Sequence, residues 1–343
     1  MSDDPSVVEL LHYDVPADFD QFDDDAGSET GSDGSPPLVE VEDDEYPLYF
    51  SERGGRLYHS NALAPYPLPV DTPEQQRLNV NHTILKCLMG DNYVGPVADV
   101  LRDEPLHRKK VLDLCTGSGK WLLEMSEEYP HVDFSGIDIV PIATRYPPRN
   151  VEFFMFDVNT TLDWEDETFD LIHARDISLA VHDCEHTIYE AFRLLKPGGL
   201  FISVEWDRNP AFHASFDLDP IEDAPASVRF HEAVDLAMLE ANGLQSTHLL
   251  ADTLTTSHTF RNVERRAFHV PIGGWHPNAV LRRMGQAFRV SQARFAQGCK
   301  HLLLDKSGLS PGDVDAILND YLEEIRSVEG LMSTAHAVYA TKI

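Results

Sequence analysis

The chain has 343 residues, a hydrophobic fraction of 42% and a formal net charge of -31, a composition typical of a globular protein with an acidic surface. Such a surface repels phosphate backbones, so we expect no nucleic-acid partner. No apolar run approaches the roughly 20 residues of a membrane helix, and the N-terminus lacks the features of a secretory signal, so we expect no membrane partner. Four cysteines without CxxC spacing indicate neither disulfides nor a metal site. We therefore expect an intracellular protein in the cytoplasm, the nucleus or both.

The N-terminal segment 1–45 carries 16 Asp and Glu residues and no Lys or Arg. It is also rich in Gly, Ser and Pro, so it cannot bury enough apolar area to offset the entropy of ordering. We predict a disordered acidic tail. Its apolar residues alternate with acids, which is also the composition of an interaction segment, but a solvating tail is the simpler interpretation.

The segment 46–109 is predicted to form an N-terminal helical cap. Its stretch "DTPEQQRLNVNHTILKCLMG" has the start of a helix, with Thr72 as the cap, Pro73 at the first helical position and Gln75 completing a capping box. Gly90 is predicted to end this helix.

Residues 110–207 are predicted to form a core in which strands alternate with helices. The strand candidates are 110–115, 132–138, 151–156, 169–174 and 200–206. This alternation predicts an α/β fold with a doubly wound, Rossmann-like and mostly parallel sheet.

Residues 208–343 are predicted to combine a helical cap with the last two strands of that sheet. Helices are expected at about 225–242, 278–303 and 311–326, and the strand candidates are "ERRAFHVPI" and "HAVYATKI". We expect these two late strands to form the far edge of the sheet and the last strand to be antiparallel. The helical segments 209–262 and 276–335 are expected to shape a substrate pocket.

The stretch "VLDLCTGSGKW" places a small-residue loop directly after the first strand of the core. It does not fit a phosphate-binding P-loop, because Trp121 stands where Ser or Thr is required and Leu114 where the first Gly is required. A dinucleotide fingerprint is matched at its first two glycines, Gly117 and Gly119, but Leu122 stands at the position of the third. A nicotinamide-dependent reductase is therefore less favoured but stays open as an alternative. The two glycines allow the backbone to approach a ligand at the carboxyl edge of the sheet.

Carboxylates follow the neighbouring strands at that edge. Asp138 ends the second strand, 21 residues after Gly117, where it can accept hydrogen bonds from ribose hydroxyls, and Asp157 follows the third strand, where it can meet a purine amine. An anionic pocket without phosphate recognition suits a nucleoside that carries a cation. S-adenosylmethionine is such a ligand, and we expect it to be the cofactor.

The ordered set "DLCTGSG", "GID", "FDV", "FDLIHARD" and "LKPGG" resembles the class I S-adenosylmethionine-dependent methyltransferase family. The resemblance implies that Asp113 and the loop hold the methionine moiety, that Asp138 meets the ribose and Asp157 the adenine. The residues implied for cofactor binding are Asp113, Cys115, Thr116, Gly117, Ser118, Gly119, Asp138, Ile139, Asp157, Val158, Ala174 and Arg175. One departure is Cys115, which stands where the family usually has its first glycine.

From about residue 66 onward the chain is similar to the fungal LaeA-like methyltransferases. The similarity rests on "YPLPVDTPEQQRLNVNHTILKCLMG", "GSGKW", "YPPRNVEFFMFDV" and "FDLIHARDISLAV". That group includes velvet-associated regulators of secondary metabolism, which implies a velvet-type protein partner. It also implies that the helix before the core covers the cofactor, which would place Arg77 near the cofactor's carboxylate.

Methyl transfer needs alignment and exclusion of water, and a general base only where the nucleophile starts protonated. His182 in "HDCEH", at helical spacing from His186, is the candidate base, and Glu205 at the end of the fifth strand could orient an amine or cap a loop. We expect a methyltransferase acting on a small metabolite or a protein side chain, although the acceptor cannot be read from the chain. The alternative is a regulatory protein that uses the fold to act through velvet-type partners.

Overall fold

One eight-stranded sheet organises the computed structural model, in which residues 40–242, 249–256 and 259–343 are described. The predicted acidic tail therefore lies outside the described residues, apart from 40–45. Residues Asp44–Ile343 form one compact unit.

The strands are β1 (Phe50–Arg53), β2 (Arg56–His59), β3 (Lys110–Leu114), β4 (Asp133–Asp138), β5 (Val151–Met155), β6 (Phe169–Arg175), β7 (Leu195–Trp206), β8 (Ala211–Phe212), β9 (Phe260–Pro271) and β10 (Leu331–Lys342). The helices are α1 (Thr72–Met89), α2 (Val97–Val100), α3 (Lys120–Glu128), α4 (Cys184–Leu194), α5 (Pro220–Asp223), α6 (Pro225–Asn242), α7 (Leu249–Thr256), α8 (Ala279–Gly298), α9 (Lys300–Lys306) and α10 (Pro311–Ser327). A short 3₁₀ helix at Tyr46–Tyr49 precedes the hairpin of β1 and β2. Among the described residues, none of the helices has both the length and the apolar character to cross a membrane.

The main sheet has the order β5-β4-β3-β6-β7-β10, with β8 and β9 also paired to β10. The strands from β3 to β7 run parallel to their neighbours, and β10 runs antiparallel to β7, β8 and β9. The predicted α/β class, with a mostly parallel sheet and an antiparallel end, is therefore confirmed. Strand β10 lies inside the sheet, because Ala337 is opposite Val204 of β7 on one side and Arg266 of β9 on the other.

The parallel strands are near-continuous apolar runs because helices cover both faces of the sheet. Leu112 belongs to the apolar cluster on one face, together with Ile188 of α4 and Leu254 of α7. Val111 belongs to the cluster on the other face, together with Met125 of α3. Helix α7 therefore packs on the sheet, which corrects the expectation that all of 209–262 shapes a substrate pocket.

Helix α1 is capped by Asp71 and not by Thr72, as the sequence suggested. The Asp71 carboxylate accepts the backbone N–H of Glu74, and Arg56 donates to both of its oxygens at 2.6 and 2.9 Å. Gly90 ends the helix in the left-handed region (φ 80°), as expected.

A third apolar cluster joins α1 to the later helices and forms the cap. Its centre includes Ile84 of α1, Phe230 of α6 and Tyr321 of α10, and the rings of Phe230 and Tyr321 stack at a centroid distance of 4.3 Å. The helices predicted at 225–242 and 311–326 are present, whereas the one predicted at 278–303 is two helices that meet at Cys299.

Candidate active site

The loop after β3 uses left-handed backbone conformations at three positions. Cys115 has φ 54°, Gly117 φ 58° and Gly119 φ 74°. At Gly119 a Cβ atom would lie 2.5 Å from Cζ of Phe153, so both the conformation and the close approach require glycine. Cys115 adopts a conformation that favours glycine. Burial and the nearby carboxylates raise the pKa of its thiol, which therefore lines the loop as a neutral group.

Asp113 is buried beneath the loop and holds it in place. Its Oδ2 accepts the hydroxyl of Thr116 at 2.7 Å, and its Oδ1 lies 2.7 Å from Nδ1 of His173. The His173 ring stacks on Trp121 at 3.7 Å. Because both oxygens are engaged within the protein, this geometry supports a role for Asp113 in anchoring the loop.

Asp138 faces the loop from the end of β4. Its Oδ2 accepts the N–H of Gly117 at 2.8 Å, and its Oδ1 accepts the N–H of Val140 at 3.2 Å. Burial raises the pKa of this carboxyl to about 6, although these backbone donors favour its charged form. A carboxylate has about four lone-pair positions, so Asp138 keeps acceptor capacity for the hydroxyls of a ligand.

Three cavities meet at the carboxyl edge of the parallel strands, beneath α1. The first lies between Ile139, Val158 and segment 64–70 and measures about 750 Å³ including its mouth. The second lies between Ser118 and His82, and the third is lined by residues from α1, β7, α6 and α8. Of the described residues, Leu78 and Asp176 line all three cavities.

Most of the residues predicted to bind the cofactor line the first two cavities. The first is lined by Cys115, Gly117, Asp138, Ile139, Asp157, Val158 and Arg175, and the second by Asp113, Cys115, Thr116, Gly117, Ser118 and Arg175. Gly119 and Ala174 do not line them: Gly119 shapes the loop, and Ala174 is fully buried in the sheet. A direct cofactor contact for these two residues stays a prediction.

The two predicted arginines lie in different places. Arg175 lines the first and second cavities, and within the described part of the chain no carboxylate lies at ion-pair distance from its guanidinium. Burial lowers the pKa of Arg175, whereas the charges of Asp113, Asp176 and Glu124 act to raise it. Arg77 lines the third cavity, is only 8% exposed, and donates twice to Oε1 of Glu74 at 2.9 and 2.7 Å. Arg175 is therefore better placed than Arg77 to meet the carboxylate of a ligand.

The third cavity is rich in carboxylates. Asp176, Glu205 and Asp207 line it, whereas the cations that line it, Arg77 and Arg208, are paired with carboxylates, Arg208 with Asp235. The oxygens of Glu205 accept the backbone N–H groups of Ile177 and Ser178 at 2.9 and 3.2 Å. Glu205 thus caps the loop after β6, which was one of its two predicted roles. Burial and the nearby Asp176 raise its pKa.

The structure does not bring His182 to the three cavities. Its side chain is exposed, and its backbone N–H donates to Asn159 at 2.7 Å. Helix α4 begins only at Cys184 with Asp183 as its cap, so His182 precedes the helix and does not share a helical face with His186. Among the described residues, the histidine that lines the third cavity is His231 of α6, where burial lowers its pKa to about 3.

Several residues at the site were not singled out from the sequence. Asn79 and His82 line the second cavity from α1, and Ser118 donates to Asn79 at 3.0 Å. Asp176 had a signal, because it ends the quoted motif "FDLIHARD" directly after Arg175. His231 had none, since it lies far along the chain in a helix without a motif.

Comparisons with known proteins found the following similarities. A family model described as a methyltransferase domain matches residues 93–262. The secondary metabolism regulator laeA of Coprinopsis cinerea is 30% identical over 292 residues, covering 81% of this chain and 70% of that protein. The protein-methionine methyltransferase laeA of Emericella nidulans is 26% identical, covering 71% and 62%. The crystal structure of YcgJ from Bacillus subtilis has a TM-score of 0.42 at 17% identity, covering 72% of this chain and 97% of YcgJ.

Proposed function

Because this chain belongs to the class I S-adenosylmethionine-dependent methyltransferases, we propose that it methylates a small metabolite or a protein side chain in fungal secondary metabolism. One relative carries the name of a regulator of secondary metabolism, which supports the metabolic setting, and another that of a protein-methionine methyltransferase, which supports a protein side chain as the acceptor. The observation on which the proposal rests is that the third cavity meets the two cofactor-side cavities at Leu78 and Asp176.

The residues of the first two cavities fit the cofactor. Ile139, Phe156 and Val158 offer apolar walls to an adenine ring, and Asp138 offers a carboxylate to the ribose hydroxyls. Arg175, which makes no ion pair with a carboxylate among the described residues, offers a cation to the methionine carboxylate.

The cofactor supplies an electrophilic methyl group on a sulfonium. The chain's own contribution is to hold the reactants in line and to exclude water, which are the main demands of such a displacement. Helix α1 covers the site for this purpose: Asn79 is hydrogen-bonded to Ser118, and Lys86 pairs with Glu124 of α3 at 2.6 Å. An acceptor in the third cavity then approaches the carboxyl edge next to Asp176.

The ribose role of Asp138 is tested by titrating the full chain with S-adenosylmethionine in a calorimeter. Asp138→Ala is expected to weaken binding by about 1–3 kcal/mol, because ribose hydroxyls lose a charged acceptor. Asp133→Ala is the matched control, because Asp133 begins the strand that Asp138 ends and lies away from the three cavities. Equal affinities for Asp138→Ala and the unaltered chain would contradict the assignment.

A regulatory role through a velvet-type partner is the second candidate, favoured by the relative named as a regulator. The two functions are separated by comparing metabolites and protein methylation in cells that carry the unaltered chain or Asp138→Ala. Loss of a methylated product in the variant supports the enzyme, whereas a captured velvet-type partner with an unchanged methylation pattern supports the regulator.

A further inference from the structure

Asp176 is the charged residue at the junction of the three cavities. It follows the last residue of β6 and lines every one of them, together with Leu78. A ligand that fills the first and second cavities together therefore passes beside this carboxylate. A ligand in the third cavity meets the same carboxylate from the other side.

The backbone of Asp176 is held in an unusual conformation. Its φ is 56°, which is in the left-handed region, and its N–H donates to the carbonyl of Val204 at 3.0 Å. Such conformations are uncommon in residues other than glycine and concentrate at functional sites. Here the conformation directs an acidic side chain to the junction.

The neighbouring charges leave Asp176 available to a ligand. Burial raises the pKa of Asp176, whereas the nearby charges of Arg77 and Arg175 act to lower it. Among the described residues neither arginine forms an ion pair with Asp176: Arg77 is hydrogen-bonded to Glu74, and Arg175 lines the first and second cavities. Both oxygens of Glu205 accept backbone N–H groups. Asp176 therefore keeps lone pairs that can accept from a bound molecule.

We propose that Asp176 stabilises the positive charge of the reacting centre and that the acceptor is an amine bound in the third cavity. This rests on the proposed methyltransferase function. In the transfer, the nitrogen lone pair forms a bond to the methyl carbon, the carbon–sulfur bond breaks, and its electron pair stays on sulfur. The positive charge thus passes from sulfur to nitrogen, and Asp176 lies beside both positions.

The charge of the third cavity favours an amine over other nucleophiles. An anionic acceptor is disfavoured because Asp176 and Asp207 line the cavity, whereas the cations that line it, Arg77 and Arg208, are paired with carboxylates. A thioether carries no N–H to donate to Asp176, and a hydroxyl must also lose a proton before it reacts well. An amine in its free-base form has both the lone pair and the N–H donor.

The first test compares Asp176→Asn with the unaltered chain by titration with S-adenosylmethionine and with S-adenosylhomocysteine. Asparagine tolerates the left-handed conformation, so the backbone is retained. The variant is expected to lose at least about tenfold in affinity for the sulfonium and less than about threefold for the neutral thioether. Asp133→Asn is the control, because Asp133 begins β4 and lines none of the three cavities, and both of its affinities should stay unchanged.

Equal losses for both ligands would show a merely structural role and overturn the inference, as would no loss for either. These results differ from failure of the proposed function, in which the unaltered chain binds neither ligand.

The second test addresses the acceptor class with the chain saturated in S-adenosylhomocysteine. Benzylamine, benzyl alcohol, benzyl methyl sulfide and benzoate share one ring and differ in the group offered to Asp176. Benzylamine is expected to bind at least about tenfold more tightly than the others and to lose this preference in Asp176→Asn. Binding of the sulfide, the alcohol or benzoate as tight as that of benzylamine would overturn the amine assignment.

Discussion

The cofactor side and the acceptor side of this crevice are built in different ways. The first two cavities take most of their sheet-side residues from short motifs between 113 and 176. The third cavity gathers residues from Tyr66 to Phe295, supplied by α1, β7, α6 and α8. A cofactor shared by many enzymes can be recognised from local sequence, whereas an acceptor site depends on how distant helices pack.

The two sides are also stabilised differently. The loop after β3 depends on backbone geometry at its glycines and on short hydrogen bonds around Asp113. The cap depends on buried side-chain pairs such as Glu74 with Arg77. Substitutions that remove one kind of support and not the other test this difference.

The largest effect is expected from Glu74→Ala in the cap. The change leaves the buried Arg77 guanidinium without the carboxylate oxygen that accepts two of its N–H groups, and breaking a buried pair in this way costs about 3–5 kcal/mol. Urea unfolding measures the loss. The double variant Glu74→Leu/Arg77→Met removes both charges and should lose clearly less than the single variant. A double variant as unstable as Glu74→Ala would mean that packing, and not charge, sets the stability here.

Gly119→Ala tests the backbone geometry of the loop. We expect it to lower the free energy of unfolding by about 2–3 kcal/mol, because the left-handed conformation is strained and the new Cβ contacts Phe153. Gly198→Ala is the matched control, since Gly198 has φ 79° but open space around its Cβ position, and it should cost only about 1 kcal/mol. Equal costs would show that the contact with Phe153 is unimportant.

A smaller effect is expected for the pH dependence of stability. It concerns His82, a residue of α1 that lines the second cavity. Burial lowers the pKa of this imidazole to about 4, whereas it is 6.5 in the unfolded chain. The unfolded state therefore binds more protons between these values, and the free energy of unfolding falls as the pH is lowered from 6.5 towards 4. Lowering the pH from 7.5 to 5 should reduce the free energy of unfolding of the unaltered chain by about 1–2 kcal/mol more than it reduces that of His82→Gln.

The pH comparison is made by urea unfolding at both pH values. His107→Gln is the control, because His107 is exposed, and its pH dependence should match that of the unaltered chain. The prediction fails if His82→Gln keeps the full loss of stability at pH 5.

The smallest effect is expected from Arg229→Ala on the outer surface of the cap. Arg229 pairs with Asp320 at 3.2 Å, but the two side chains are 53% and 58% exposed. Exposed pairs contribute about 0–1 kcal/mol, so the urea midpoint should hardly move. A loss comparable to that of Glu74→Ala would remove the distinction between buried and exposed pairs in the cap.

Much of the fold could be predicted because its signals are local. Strand β3 is apolar because helices cover both of its faces, and the 21-residue spacing brings Asp138 to Gly117 because parallel strands end at the same edge. The N-terminal capping residue of helix α1 was predicted one residue late, as Thr72 and not Asp71. Asp71 and Thr72 are both good caps, and Arg56, which decides between them, comes from a distant hairpin.

The acceptor side could not be predicted from the same signals. His231 approaches the third cavity only because α6 packs against α10, and no spacing in the sequence reports that contact. The predicted base His182 is the reverse case, and its role as a base stays a prediction. It lies in a favourable segment, but its side chain is exposed because the helix begins two residues later.

The position of β10 has a consequence for how this protein is made. Strand β10 (Leu331–Lys342) is inserted between β7 and β9. Neither of these two strands can therefore pair fully with β10 until residue 342 has left the ribosome. The nascent chain can form the parallel half of the sheet early, but one side of β7 then offers unpaired backbone groups to other chains. We expect aggregation during synthesis to depend on how long that open edge persists.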